Sequence, residues 1–165
     1  MELQKAIEDR RSIRKFKNID VDNELIIKLL EVARIAPSAK NLQPWRFYIA
    51  KGDIKNKIAQ LMKDYHKNNP INTAGMLSTA NAIEEAPVLI LVFRKGDGIS
   101  LERNDILSIG ASIEHILLKA TELGLGSLWI CAMYKVRNEI ARLVGSDLEL
   151  YSAIAIGHPD ESPTP

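Results

Sequence analysis

Two short segments of the sequence carry side chains suited to binding a charged small molecule. The first is Arg10-Arg11-Ser12-Ile13-Arg14, which places three guanidinium groups and a hydroxyl within one stretch. Because guanidinium groups form paired hydrogen bonds with phosphate oxygens, this cluster could hold a compact dianion such as a terminal phosphate. The other interpretation is a solvated basic turn, and the segment alone leaves both open.

The second segment joins a helical pattern to an alternating one. Its polar and small residues are Pro37, Ser38, Ala39, Asn41 and Gln43. The proline fixes the chain direction, the small residues leave main-chain N–H groups uncovered, and the two amides offer donors and acceptors. Such a loop could line a flat polar heterocycle. Alternatively, its polar side chains only satisfy main-chain groups of the loop, and Trp45 anchors the following strand.

Other reactive residues do not meet the requirements of a metal site or a covalent nucleophile. Acidic residues between Asp20 and Glu31 follow calcium-loop spacing, but Leu25 stands where that loop needs glycine. The histidines are far apart and have one cysteine to share, which argues against zinc. Cys131 ends an apolar stretch with no histidine beside it, so we interpret it as a small buried hydrophobe. We therefore predict no metal.

Composition and charge narrow the class of protein. The chain is 46% hydrophobic and 26% charged, with a net charge of +1, as in ordinary soluble domains. Its 165 residues fit one domain, assigned to 1–165. The balanced charge argues against a nucleic-acid partner, and no apolar stretch is long enough for a membrane span. The first residues lack a secretory pattern and the single cysteine suits a reducing compartment, so we predict a cytoplasmic location.

Periodicity predicts the elements that position these segments. Helical spacing is found before Arg10 and at 22–36, 53–65, 73–85, 105–123 and 136–144, and strands are predicted at 45–50, 88–93, 127–131 and 150–156. Turns are predicted at 67–75 and 96–98. The long helix carries Gly110, Ala111 and Ser112 on one face, which permits close packing against a helix or a partner chain. Since helix pairs interrupt the strand–helix alternation, we predict an α+β domain with a small sheet flanked by helices.

Four segments taken together resemble the FMN-dependent nitroreductase family. They are Arg10–Phe16, Ala36–Trp45, Leu123–Ser127 and Ala155–Pro159, in the family's order along the whole chain. The resemblance implies a nitroreductase-like FMN-binding domain with a mainly antiparallel sheet. It also implies a homodimer with two FMN sites in the interface, each built from both chains.

The resemblance also implies roles for individual residues at the cofactor. Arg10 and Ser12, assisted by Arg11, would hold the phosphate, and Arg14 would lie near the N1–C2=O edge of the isoalloxazine, where a cation favours reduction. The partner chain would line the ring and ribityl chain with Pro37, Ser38, Ala39 and Asn41, with Gln43 a further contact. Main-chain groups of Trp129, Ile130 and Cys131 would run along the ring near N5.

The implied activity is ping-pong electron transfer. NADH or NADPH reduces FMN and leaves, and a small acceptor such as a nitroaromatic or quinone takes its place, with no side chain as catalytic group. Two alternatives are a flavin-binding sensor or carrier without reductase turnover, and an interaction domain with no ligand. The family often has basic residues beyond its closing Gly-Tyr-Pro, whereas this chain has His158 for the tyrosine and no such residues after it. We therefore expect the phosphate to depend on Arg10–Arg14 and FMN to bind less tightly.

Overall fold

The computed structural model describes residues 1–71, 73–96 and 101–164. Its strands are β1 (Trp45–Ala50), β2 (Val88–Arg94), β3 (Gly126–Ile130) and β4 (Glu149–Gly157). Its α-helices are α1 (Leu3–Asp9), α2 (Asn23–Arg34), α3 (Gly52–Asn68), α4 (Ala74–Glu85), α5 (Glu102–Glu122) and α6 (Arg137–Leu143). Short 3₁₀ turns lie at Ala39–Asn41 and Ala132–Val136.

The strands form one sheet in the order β1-β2-β4-β3, and every neighbouring pair is antiparallel. The apolar run of β2 is buried throughout, from Val88 at 0% exposed to Phe93 at 2%, because helices cover both faces of the sheet. The predicted α+β fold with a small, mainly antiparallel sheet flanked by helices is confirmed.

Alternating side chains of the sheet build two separate cores. Leu89 and Leu91 of β2 belong to the core under α3 and α4, which includes Ile58 and Met62. Their neighbour Ile90 belongs to the opposite core, where α2 and α5 contribute residues such as Leu29 and Ile113. This division follows from the two-residue period of a strand. The long helix α5 is therefore fixed against the sheet along one face.

The main departures from the sequence predictions lie at the loops. Helix α2 ends at Arg34, two residues before the predicted limit, and Ile35 is its C-cap. Helix α3 continues to Asn68, so the start of the predicted 67–75 turn is helical. Most of the predicted turn at 96–98 lies outside the described residues. Over the described ranges, none of the helices is both long and apolar enough to span a bilayer.

Candidate functional site

The basic segment after α1 lies along one end of the sheet. Ser12 pairs with Ser127 at the start of β3, where the Ile13 N–H donates to the Ser127 carbonyl at 2.9 Å. Further on, Phe16 pairs with Pro159 just beyond β4. The segment is thus held between the start of β3 and the chain that follows β4.

Two glycines let the segment approach this end of the sheet. Gly126 and Gly157 are opposite each other in the β3–β4 pair. A Cβ at Gly126 would lie 2.9 Å from Cγ2 of Ile13, and one at Gly157 would lie 2.8 Å from Cδ1 of Phe16. Both contacts are too short for a Cβ, so the packing of the Ile13 and Phe16 side chains against these strands requires glycine. Three of the four segments that carried the family resemblance therefore pack together.

A cavity of about 380 Å³ opens beside this packed region. Its lining includes Arg11, Ile13 and Gly126, together with residues after β4. Arg11 Nη1 donates to the carbonyls of Glu8 at 2.7 Å and Arg10 at 2.8 Å, which orients the guanidinium. Its Nε is buried and, within the part of the chain that the structure describes, has no hydrogen-bond partner. An unpaired buried donor is unfavourable, so one donor of this guanidinium is left unsatisfied in this conformation.

The charge around the cavity is mixed. The carboxylates of Asp9 and Glu161 belong to the lining alongside Arg11. Arg10 is half-buried at the end of α1, whereas Arg14 is exposed, with Nη1 3.4 Å from the Ser12 carbonyl. Of the three predicted phosphate residues, Arg11 is in the lining of the cavity and Arg10 and Ser12 are not, and the lining adds acidic residues that sequence reasoning did not anticipate.

The second predicted segment, from Pro37 to Gln43, forms a strained turn over the start of α5. The 3₁₀ turn and the residues after it have positive φ at three non-glycine positions, Lys40 at 53°, Asn41 at 55° and Gln43 at 47°. Each such residue costs about 1 kcal/mol or more, and residues of this kind are concentrated at binding sites and switches. The strain supports a functional loop.

Hydrogen bonds explain how the loop keeps this shape. The Ala39 N–H donates to Ser108 Oγ of α5 at 3.2 Å, and the Gln43 N–H donates to Ser38 Oγ at 3.0 Å. The amide of Gln43 donates to Asn41 Oδ1 at 3.3 Å. The alternative interpretation, in which polar side chains satisfy groups of the loop itself, is therefore correct for Ser38. Pro37 and Asn41 remain exposed.

The two predicted segments do not meet within one chain. The loop contacts α5 at Ser108, whereas the cavity beside Arg11 reaches Thr121 near the other end of the same helix. With a helical rise of 1.5 Å per residue, these positions are about 20 Å apart along the axis. A ligand much shorter than this separation could not contact both segments of the same chain.

An ion pair fixes the start of α5 below the loop. Arg94 at the end of β2 donates from Nε to Asp105 Oδ2 at 2.8 Å, and Asp105 is only 2% exposed. This hydrogen bond raises the pKa of the Arg94 guanidinium. The helix end that carries Ser108 is thereby held against the sheet.

The third group of predicted site residues, Trp129 to Cys131, lies where strand β3 ends. Trp129 is 42% exposed, and its Nε1 donates to Ser152 Oγ of β4 at 2.7 Å. The Ser152 hydroxyl in turn donates to the carbonyl of Ile130 at 2.9 Å. A Cβ at Gly110 of α5 would be 4.0 Å from the Trp129 ring, so the indole lies over the small-residue part of that helix.

The prediction that Cys131 is buried is wrong. The ladder between β3 and β4 ends at Ile130, and Cys131 lies just before the following 3₁₀ turn, where its side chain is exposed. Close by, the Arg137 guanidinium is 4.1 Å from the ring centre of Tyr134. Its hydrogen bond to the phenol lowers the pKa of Tyr134. No group of three potential metal ligands occurs among the described residues.

Sequence reasoning missed three residues that support the site, namely Ser108, Ser152 and Glu161. Ser152 left a detectable signal, because it is a lone serine in an otherwise apolar stretch of β4. Ser108 lies on a helix and Glu161 in an irregular segment, and each acts on residues more than 60 positions away. Spacing along the chain carries no information about such contacts.

Known proteins resemble this chain along most of its length. A model of the nitroreductase family matches residues 7–158. "Putative NAD(P)H nitroreductase YfhC" of Bacillus subtilis (strain 168) is 32% identical over 170 residues, covering 98% of this chain and 86% of that protein. Iodotyrosine deiodinase of Thermotoga neapolitana is 31% identical over 167 residues, covering 92% and 86%.

Solved structures give the same result. A "putative nitroreductase in complex with FMN" from Desulfovibrio desulfuricans superposes with a TM-score of 0.83 at 27% identity, covering 100% of this chain and 90% of that one. A "BluB-like flavoprotein" from Clostridium difficile 630 superposes with a TM-score of 0.81 at 30% identity, covering 100% and 94%.

Proposed function

The chain belongs to the nitroreductase family, and from this premise we propose that it is an FMN-dependent oxidoreductase. It passes electrons from NADH or NADPH through bound FMN to a small acceptor such as a nitroaromatic or a quinone. The observation that carries the proposal is the cavity beside Arg11, whose lining joins this guanidinium, oriented by two main-chain carbonyls, to the glycine-lined end of the sheet. The related nitroreductase solved in complex with FMN supports the choice of cofactor.

The residues of the basic segment suit the phosphate of FMN. Arg10, Arg11 and Ser12 would hold it, because their donors are clustered on a segment that is itself fixed to β3. Arg14, which is exposed, is free to reach the N1–C2=O edge of the isoalloxazine. Because two carboxylates also lie at the cavity, we expect FMN to bind less tightly than it would at a purely basic site.

The remaining residues orient the cofactor and shape its surroundings. Bound FMN would supply the two-electron chemistry. Main-chain groups of Trp129, Ile130 and Cys131 would lie along its ring, and Ser152 keeps the Ile130 carbonyl and the indole in fixed positions. The cation of Arg14 would favour reduction by opposing the negative charge that develops at its edge.

We propose that the working form is a homodimer with sites at the interface. The partner's loop would then supply Pro37, Ser38, Ala39, Asn41 and Gln43. The separation of about 20 Å between this loop and the basic segment along α5 supports the proposal. So do exposed apolar side chains near the groove between α1 and α5, for example Leu3 at 68% and Ile7 at 51%. The cytoplasmic location stays a prediction.

Two measurements test the proposed activity. Purified protein titrated with FMN should quench the fluorescence of the free cofactor, and a failure to bind FMN would contradict the proposal. The complex, mixed anaerobically with NADH or NADPH, should lose its oxidised flavin absorbance within the turnover time and regain it when a nitroaromatic or quinone is added. Binding without bleaching would favour the alternative, a flavin-binding sensor or carrier.

A second candidate function is reductive removal of iodide from iodotyrosine. The related deiodinase, at 31% identity, supports it almost as strongly as the related nitroreductase supports the first. Iodide release from iodotyrosine with chemically reduced enzyme would favour this function. Turnover of nitroaromatics with NAD(P)H and no iodide release would exclude it.

A further inference from the structure

The chain beyond β4 returns along the basic segment and makes a series of main-chain contacts with it. The Lys17 N–H donates to the His158 carbonyl at 2.9 Å, and the Asp160 N–H donates to the Lys15 carbonyl at 3.0 Å. Phe16 and Pro159 pair between them. The two stretches therefore run antiparallel beside the cavity.

One side chain of the returning stretch makes a stronger contact. Glu161 Oε1 accepts the main-chain N–H of Arg14 at 2.5 Å and that of Lys15 at 3.2 Å. Successive N–H groups directed at one oxygen form a concave site for an anion, and a carboxylate makes the stronger kind of hydrogen bond. The backbone at Arg14 is thus hydrogen-bonded directly to a side chain 147 positions later in the chain, between the main-chain contacts that hold the rest of the segment.

We propose that Glu161 is a positioning residue for the cofactor-binding segment. It acts through the backbone of Arg14 and Lys15, and so determines the place from which Arg14 extends toward the flavin edge. The inference rests on the proposed function, because it assigns Glu161 a task at that same site. Nothing in the residue pattern of the sequence pointed to this acidic residue.

Glu161 also has an opposing effect through its charge. Its side chain is part of the lining of the cavity that would hold the phosphate, so its negative charge weakens the binding of a dianion. The hydrogen bonds of Glu161 to the basic segment favour FMN binding, and the negative charge of Glu161 opposes it. Two substitutions separate them: Glu161→Ala removes both, whereas Glu161→Gln removes the charge and keeps an oxygen that can accept the same N–H groups.

The experiment is an FMN titration of the full chain, followed by flavin fluorescence. We expect Glu161→Ala to weaken FMN binding by roughly tenfold or more, as expected for losing hydrogen bonds to a charged acceptor. Glu161→Gln should bind FMN at least as tightly as the unaltered protein. Asp160→Ala is the matched control, since Asp160 contacts the segment through its main chain. The FMN affinity of this variant should stay within about twofold of that of the unaltered protein.

A second readout reports on Arg14 itself. If the alanine variant lets Arg14 move away from the flavin edge, the reduction potential of bound FMN should fall, and Glu161→Gln should restore it. A purely structural role would change melting temperature but leave the potential of the bound flavin as it is.

Each outcome has a distinct meaning. Failure of the unaltered protein to bind FMN contradicts the proposed function. Normal FMN binding and potential in Glu161→Ala, with the unaltered protein binding FMN, overturns only the role of Glu161. Should the alanine variant not fold, the glutamine variant decides, and weaker binding of FMN by that variant overturns the proposal.

Discussion

At the scale of single residues, the proposed function assigns the guanidinium groups of the basic segment two different tasks. Arg11 lines the cavity and is held by two main-chain carbonyls, which suits a fixed anion contact. Arg14 is exposed, and its backbone is fixed by Glu161. Ordered donors suit phosphate binding, whereas an exposed cation can be placed against the redox-active ring.

This division predicts different effects for two alanine substitutions. At saturating FMN, Arg14→Ala should slow flavin reduction by roughly tenfold, because it removes the cation that stabilises developing negative charge. Arg10→Ala should mainly weaken FMN binding and leave the reduction rate of the loaded protein close to normal. Anaerobic stopped-flow absorbance measures both rates. Equal effects, or a larger effect of Arg10→Ala, would contradict the assigned roles.

Ser152 gives a second prediction at this scale. Its hydroxyl accepts from the Trp129 indole and donates to the Ile130 carbonyl, so Ser152→Ala leaves both groups without this partner. We expect the free energy of unfolding to fall by about 1–3 kcal/mol. Urea denaturation measures the change, and the exposed Ser78 of α4 provides the control substitution Ser78→Ala. A loss no larger than that of the control would show that the hydroxyl is not needed.

At the scale of elements, the site depends on how closely three stretches of backbone approach each other. The basic segment, the start of β3 and the end of β4 meet at Gly126 and Gly157, where a Cβ would collide with a neighbour. The contact joins the backbone of the two strands to the side chains of Ile13 and Phe16. It explains why glycine stands at both positions.

Gly126→Ala tests this close approach. The new Cβ would lie 2.9 Å from Ile13, so the basic segment must shift, and we expect a loss of about 1–3 kcal/mol in unfolding free energy together with weaker FMN binding. Gly75→Ala in α4 is the matched control. It has open space around it, so it should be neutral or stabilising by up to about 1 kcal/mol. Thermal denaturation of both variants compares them, and similar melting temperatures would refute the packing argument.

Elements were easier to predict from the sequence than the contacts between them. The strand from Trp45 to Ala50 was predicted at its observed limits, because two-residue alternation is a local signal. Exposure of Cys131 was not predicted, since it depends on where the β3–β4 ladder ends. The roles of Ser108 and Glu161 were also missed, because each depends on an unrelated part of the chain. Family resemblance located the basic segment and the loop, but only the fold reveals their separation.

At the scale of the whole molecule, the proposed homodimer implies that each chain holds two half-sites. The basic segment and the loop over α5 belong to opposite ends of that helix, about 20 Å apart along its axis. A symmetric pair of chains can place the basic segment of one against the loop of the other, and symmetry then creates two identical sites. In an isolated monomer, neither site would be complete.

Complementation between two defective variants tests this claim most directly. One variant carries Arg10→Ala and Arg11→Ala, the other carries Ser38→Ala and Asn41→Ala, and each alone should bind little FMN. In a heterodimer purified through two different tags, one site carries both defects and the other carries none, so we predict about one tightly bound FMN per heterodimer. If the heterodimer binds no more FMN than its parent variants while the unaltered protein is saturated, each site lies within a single chain and the account is wrong.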